Sequence, residues 1–118
     1  MKSGWITHQG KRIFYAHYDH MPLDEFRGEA AFTEKEVLAQ PKGSVLLLID
    51  TTGIILSPEV INLSKNVALA TKPYCHKTAI LGMSGARRTL LDIVLKFSGA
   101  TASAFETEAQ AKDWLAAK

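Results

Sequence analysis

The residues of this chain with chemical potential are four histidines, one cysteine, a serine ahead of a proline, and an arginine pair behind a glycine. His17 and His20 are close in sequence, but they flank an expected strand end, where their side chains need not converge. No cysteine pair or carboxylate cluster completes a tetrahedral ligand set with them. His8, His17, His20 and His76 therefore read as structural or surface histidines, and no metal is expected. Cys75 has no neighbouring base or helix N-terminus to activate its thiol, and it is placed at a helix-to-strand turn rather than in a nucleophilic role. No Ser-His-Asp order with a nucleophile elbow occurs. The expectation is a protein without catalytic residues and without a cofactor.

Two sets of residues remain as candidate sites. Ser57 precedes Pro58-Glu59, which makes it either a phosphate acceptor or the N-cap of a helix, with proline in the first helical position and an acid in the first turn. A phosphate there would be favoured by the helix N-terminus. Ser84-Gly85-Ala86-Arg87-Arg88 offers an anion the free N–H groups of a helix start and two cationic side chains. Thr51 and Thr52 are expected at the same end of the sheet and could add hydroxyl donors. The alternative is a solvated turn with Arg88 paired to Asp92. Ile61, Leu69 and Leu95 are apolar positions off the buried stripes, either ordinary surface or a patch for self-association or a partner.

The elements that must position these residues centre on Ser44–Asp50, Ser-Val-Leu-Leu-Leu-Ile-Asp. Five apolar residues without a polar break, bounded by Lys42-Gly43 and Thr51-Thr52-Gly53, predict a strand covered on both faces. Before it, Trp5 to Tyr18 reads as a hairpin turning at Gln9-Gly10-Lys11. Residues 22–40 read as one helix with Leu23, Phe26, Ala30 and Val37 inward, although Thr33 and Glu36 also match a capping box that would break it. After it come a helix from Ser57 to about Lys72, ended by Pro73, and a strand over Thr78–Leu81. A helix over about Ala86–Ser98 follows, with Leu90, Val94 and Phe97 inward and Arg88, Asp92 and Lys96 outward. Arg87, on the inward side of its first turn, should reach over the end of the sheet. A strand over Thr101–Phe105 and a helix capped by Thr107 and Gln110 complete the chain.

A hairpin, a helix and three β-α units predict an α/β fold with a mixed sheet whose parallel strands are joined by right-handed crossovers. Sites in such sheets lie at the C-terminal ends of parallel strands, here Thr51–Ser57 and Gly82–Arg88.

The 118 residues are one domain's worth, and residues 1–118 are expected to fold as one unit. A net charge of +2 does not suggest nucleic acid as a partner. With a single cysteine, no internal disulfide can form, and no apolar run is long enough to span a membrane. A cytoplasmic location is expected.

The ordered series Gly43–Asp50, Ser57-Pro58-Glu59-Val60-Ile61, Thr71-Lys72-Pro73-Tyr74, Leu95–Gly99, Phe105–Ala109 and Asp113-Trp114-Leu115 resembles small bacterial SpoIIAA-like proteins of the STAS superfamily. The resemblance covers most of the chain, from about Ile13 to Leu115. It implies a β-rich start, a mixed sheet of four or five strands, about four helices packed mainly on one side, and kinship with lipid-binding CRAL-TRIO folds. Well-studied members antagonise anti-sigma factors and are switched by phosphorylation of a serine at the start of the helix after the central strand. Their Asp-Ser-Ser-Gly loop is matched here by Leu56-Ser57-Pro58-Glu59, with Pro58 where the phosphoacceptor stands, which puts that switch in question.

Two functions follow as expectations. The first is a regulatory module that docks a protein partner, such as a kinase or an anti-sigma-like factor, through Ser57, Ile61 and Leu69, with homodimerisation as a related possibility. The second is a carrier or sensor of a small apolar or anionic ligand held near Thr51 and Arg87. A filled core with a flat apolar surface favours the first, and an apolar pocket of a few hundred cubic ångströms favours the second.

Overall fold

The structure is a computed structural model that describes residues 2–99 and 102–117, apart from the side chains of Phe97 and Ser98. The expected inward position of Phe97 and the expected strand start at Thr101 lie outside the described residues.

Strands β1 (Gly4–His8) and β2 (Lys11–His17) form the hairpin. Gln9 and Gly10, both at positive φ, make the two-residue turn that suits the twist of such a pair. Helix α1 (Leu23–Leu38) leads to β3 (Val45–Asp50), α2 (Pro58–Thr71), a short 3-10 turn through Pro73, and β4 (Cys75–Leu81). Helix α3 (Ala86–Ser98), β5 (Ser103–Phe105) and α4 (Glu108–Ala116) follow. The sheet order is β1-β2-β3-β4-β5, antiparallel only between β1 and β2, so the oily β3 strand is central as its composition requires.

Alternation along the strands divides the core into two layers. Phe14, Ala16, Val45 and Leu47 face α1 and α2. Ile13, Tyr15, Leu46 and Leu48 face α4 with its Ala111 and Leu115. The α4 layer is tied at its N-terminal end by Tyr15, whose phenol donates to Glu108, while Lys112 also bonds Glu108 at 2.7 Å. The Lys112 and Tyr15 hydrogen bonds hold the Glu108 carboxyl below its usual range. Burial, reinforced by Glu108, raises the Tyr15 phenol.

Helix α1 is continuous through Thr33. The threonine is buried, and its hydroxyl accepts from the Tyr18 phenol at 2.8 Å, so it serves a tertiary contact instead of a new helix start. Strand β4 begins three residues earlier than expected. Cys75 therefore opens the strand instead of lying in a turn, and a register shift at His76 lets Cys75 face the α2 side while Lys77 faces α4. Lys77 donates to the Trp114 and Ala117 carbonyls at 2.9 and 2.8 Å, capping the end of α4.

Glu29 on α1 is 4 % exposed and was not expected inside. Its carboxylate accepts from the Ser3 hydroxyl at 2.6 Å and from the backbone N–H groups of Lys2 and Ser3, anchoring the start of the chain. Burial pushes this carboxyl up, but the bonds from Ser3 and Lys2 outweigh it and hold it below the usual range. A depressed folded-state pKa contributes stability above the ordinary carboxylate value and loses it as pH falls through the folded value. Glu29→Gln is therefore expected to cost roughly 1 kcal/mol near neutrality, with the gap to the parent closing below about pH 4. Urea unfolding at several pH values checks this, and a gap independent of pH would contradict it.

Candidate functional site

Helix α2 explains why a space opens beneath the helices. One of its faces, with Val60, Leu63 and Val67, packs on the α1 side of the core. The neighbouring stripe, Ile61, Ser64, Ala68 and Thr71, is spaced to share a second face, and two of its members are small. Helix α3 packs chiefly on α2 rather than on the sheet. Small side chains on α2 cannot reach β4, and a cavity of about 320 Å³ remains between α2, α3 and the strand. Its floor includes Cys75, Thr78 and Ile80 of β4, and its α3 wall includes Leu90, Leu91, Val94 and Leu95.

The polar groups around the cavity are largely satisfied by the protein. The Thr51 hydroxyl donates to the Leu81 carbonyl at 2.7 Å, and the Thr71 hydroxyl donates to the Val67 carbonyl at 2.8 Å. The Tyr18 phenol is spent on Thr33 and raised mainly by burial. Burial also pushes the Cys75 thiol up, against the opposing pull of hydrogen bonds with Thr78 and Thr71. A protonated, desolvated thiol is a poor nucleophile. The result is a chamber lined mostly by apolar side chains, with the Tyr18, Thr33, Thr51 and Thr71 hydroxyl groups turned to backbone carbonyls or to one another.

The two ends of the chamber differ. At the C-terminal end of the strands it is walled by buried Thr51, Ile80 and Leu91 together with half-buried Leu56, Met83 and Leu90. At the other end it meets Lys72, His76 and Gly99, all exposed.

The rim beyond the Thr51 end contains the expected anion-site residues, and Arg87 has a definite task there. Its Nε donates to the Gly82 carbonyl at 3.0 Å, Nη1 to Ile54 at 2.7 Å and Nη2 to Thr51 at 2.7 Å. One planar guanidinium thus fastens the loop after β3 to the loop after β4. Arg87 does reach over the sheet end beside Thr51, but its donors are turned to backbone carbonyls and it does not line the cavity. Thr52 is exposed, and its N–H donates to Asp50 at 3.0 Å. Ser84 and Gly85 are exposed at the start of α3, and Arg88 pairs with Asp92 at 3.4 Å on the solvent side.

The other expected residues divide between cap, cavity and surface. Ser57 is the N-cap of α2, its hydroxyl accepting from the Val60 N–H at 3.2 Å. Ile61 and Leu95, expected at the surface, line the cavity instead, because α3 leans on α2 and encloses them. Leu69 is 53 % exposed. His17 lies on the α4 side, stacked on Tyr15 at 3.8 Å, while the His20 ring packs against Gly53. Among the described residues, no group of three His, Cys, Asp or Glu side chains is placed to hold a metal ion. No described helix is long and apolar enough to cross a membrane.

Sequence reasoning missed Ser64, Ala68, Thr78 and Lys72 as cavity residues. The available signal was the pair of small residues at i, i+4 on α2, beside a strand that needs cover on both faces. Compared with family models, with curated proteins and with solved structures, the chain has no significant match, so residue chemistry and geometry alone carry its functional reading.

Proposed function

We propose that this chain is a non-enzymatic binding module of SpoIIAA-like type that carries or senses a small apolar ligand. The observation that carries the reading is the cavity of about 320 Å³ between α2, α3 and β4, within the size range of ligand sites and lined mostly by apolar side chains. Protein cores are packed to near-crystalline density, so a ligand seated in a space of this volume would gain dispersion contacts with the apolar side chains that line it. The order of strands and helices supports the SpoIIAA-like kinship.

Native mass spectrometry of the protein purified gently from cells tests the proposal. A retained apolar small molecule, lost on organic extraction, is the expected result. Only unliganded protein would count against a carrier.

Docking of a protein partner is a second reading, favoured by Ile55, Leu69 and Ile93, which are 80 %, 53 % and 48 % exposed. Leu69 and Ile93 lie on α2 and α3, the two helices that roof the cavity. A change in cavity occupancy that shifted these helices would therefore be felt on the surface a partner would touch.

A further inference from the structure

We infer that the cavity selects an amphipathic anion, an aliphatic carboxylate, with its chain against β4 and its head group at Lys72. The inference rests on the ligand-binding reading above and adds the ligand's charge and orientation.

The orientation follows from the two ends of the chamber. At one end the lining is buried Thr51, Ile80 and Leu91 with half-buried Leu56, Met83 and Leu90, so a charged group there would exchange water for apolar neighbours. Exposed Lys72, His76 and Gly99 surround the other, where a head group stays solvated. An apolar chain therefore enters from the Lys72 end and leaves its polar end behind.

The sign of the charge follows from the side chains that touch the chamber. Among the described residues no aspartate or glutamate lines it, and its ionisable side chains besides Tyr18 and Cys75 are Lys72, His76 and Lys77. Lys77 is committed to the Trp114 and Ala117 carbonyls on the opposite face of the sheet. Arg87, near the Thr51 end, is committed to three carbonyls. Lys72 is different. It has no ion pair with a carboxylate among the described residues, and its ammonium lies against Gly99, where an added Cβ would be 2.7 Å from Nζ. That position is the C-terminal end of α3, and Lys72 is itself the C-cap of α2, so its ammonium lies at the negative ends of two helix dipoles. A carboxylate arriving there meets the Lys72 ammonium, whose full charge exceeds the partial negative charge of either helix end, with His76 nearby on β4 and no carboxylate among the described lining residues.

Calorimetric titration of the full chain with dodecanoate and dodecyltrimethylammonium below their micelle concentrations, and with dodecanol below its solubility limit, tests the inference. Dodecanoate should bind roughly three- to tenfold tighter than dodecanol, an advantage that falls as salt is raised, and dodecyltrimethylammonium should bind more weakly than dodecanol. Lys72→Gln should remove the dodecanoate advantage and leave dodecanol affinity unchanged. Lys72 is exposed, so this variant retains the fold. Equal affinity for dodecanoate and dodecanol in the parent would overturn the inference while leaving an apolar site in place. An equal loss for both ligands in Lys72→Gln would assign the lysine a structural role and also overturn it. Binding of none of the three would remove the cavity reading itself.

Discussion

Arg87→Ala is expected to lower the melting temperature by roughly 10 °C, corresponding to about 2–4 kcal/mol for a domain of this size. The reason is local. The guanidinium supplies donors to the carbonyls of Thr51, Ile54 and Gly82, and alanine leaves all three to find water at a half-buried rim. Arg87→Lys should recover only part of the loss, because an ammonium is a point donor and cannot span three carbonyls in one plane. Thermal melts in chloride and in phosphate also decide between the two tasks open to this residue. A clamp predicts the same loss in both salts. An anion site predicts that the parent gains stability in phosphate and that the variant does not. A melting temperature within about 2 °C of the parent would contradict the clamp.

Gly82→Ala is expected to be nearly as costly, about 2–3 kcal/mol, for an independent reason. Gly82 has φ of 89°, a region that side chains other than glycine rarely occupy. A Cβ placed there would lie 2.6 Å from the Thr52 backbone nitrogen and 2.8 Å from its Cα. Backbone cannot swing aside as a flexible side chain can, so the two loops must separate. The Gly82 carbonyl is also one of the three that Arg87 holds, which makes the sites one unit. Gly82→Ala combined with Arg87→Ala should therefore cost less than the sum of the single losses, and chemical denaturation of the three variants measures the difference. Strict additivity would show that the glycine and the arginine act separately.

Much of the architecture could be read from local chemistry. Five uninterrupted apolar residues required a central strand. Ser57-Pro58-Glu59 and Thr107 with Gln110 marked two helix starts at which the cap hydroxyls do bond the expected N–H groups. Alternating β and α segments required the parallel sheet. The inward placement of Arg87 on its first turn led correctly to the end of the sheet. What stayed hidden depends on distances between elements. Glu29 looks like any helix acid until Ser3 and the start of the chain fold over it. Thr33 looks like a helix start until the Tyr18 phenol reaches it. Arg87 looks like a free cation until three carbonyls converge on it. The cavity was the least legible feature, because a void is produced by side chains that fail to meet. Ser64 and Ala68 showed that α2 has a small face, but only the lean of α3 onto α2 shows that a space remains beside it among the described residues.

The most direct test of the cavity as a ligand site is a calorimetric titration with dodecanol at several temperatures, comparing the parent with Ala68→Phe, which places a ring in the space above β4. Because the ligand buries apolar surface, the parent should show saturable one-to-one binding with a negative heat-capacity change. Ala68→Phe should keep or raise the melting temperature and abolish the binding. Absence of saturable binding in the parent, or undiminished binding in a folded Ala68→Phe variant, would contradict the account.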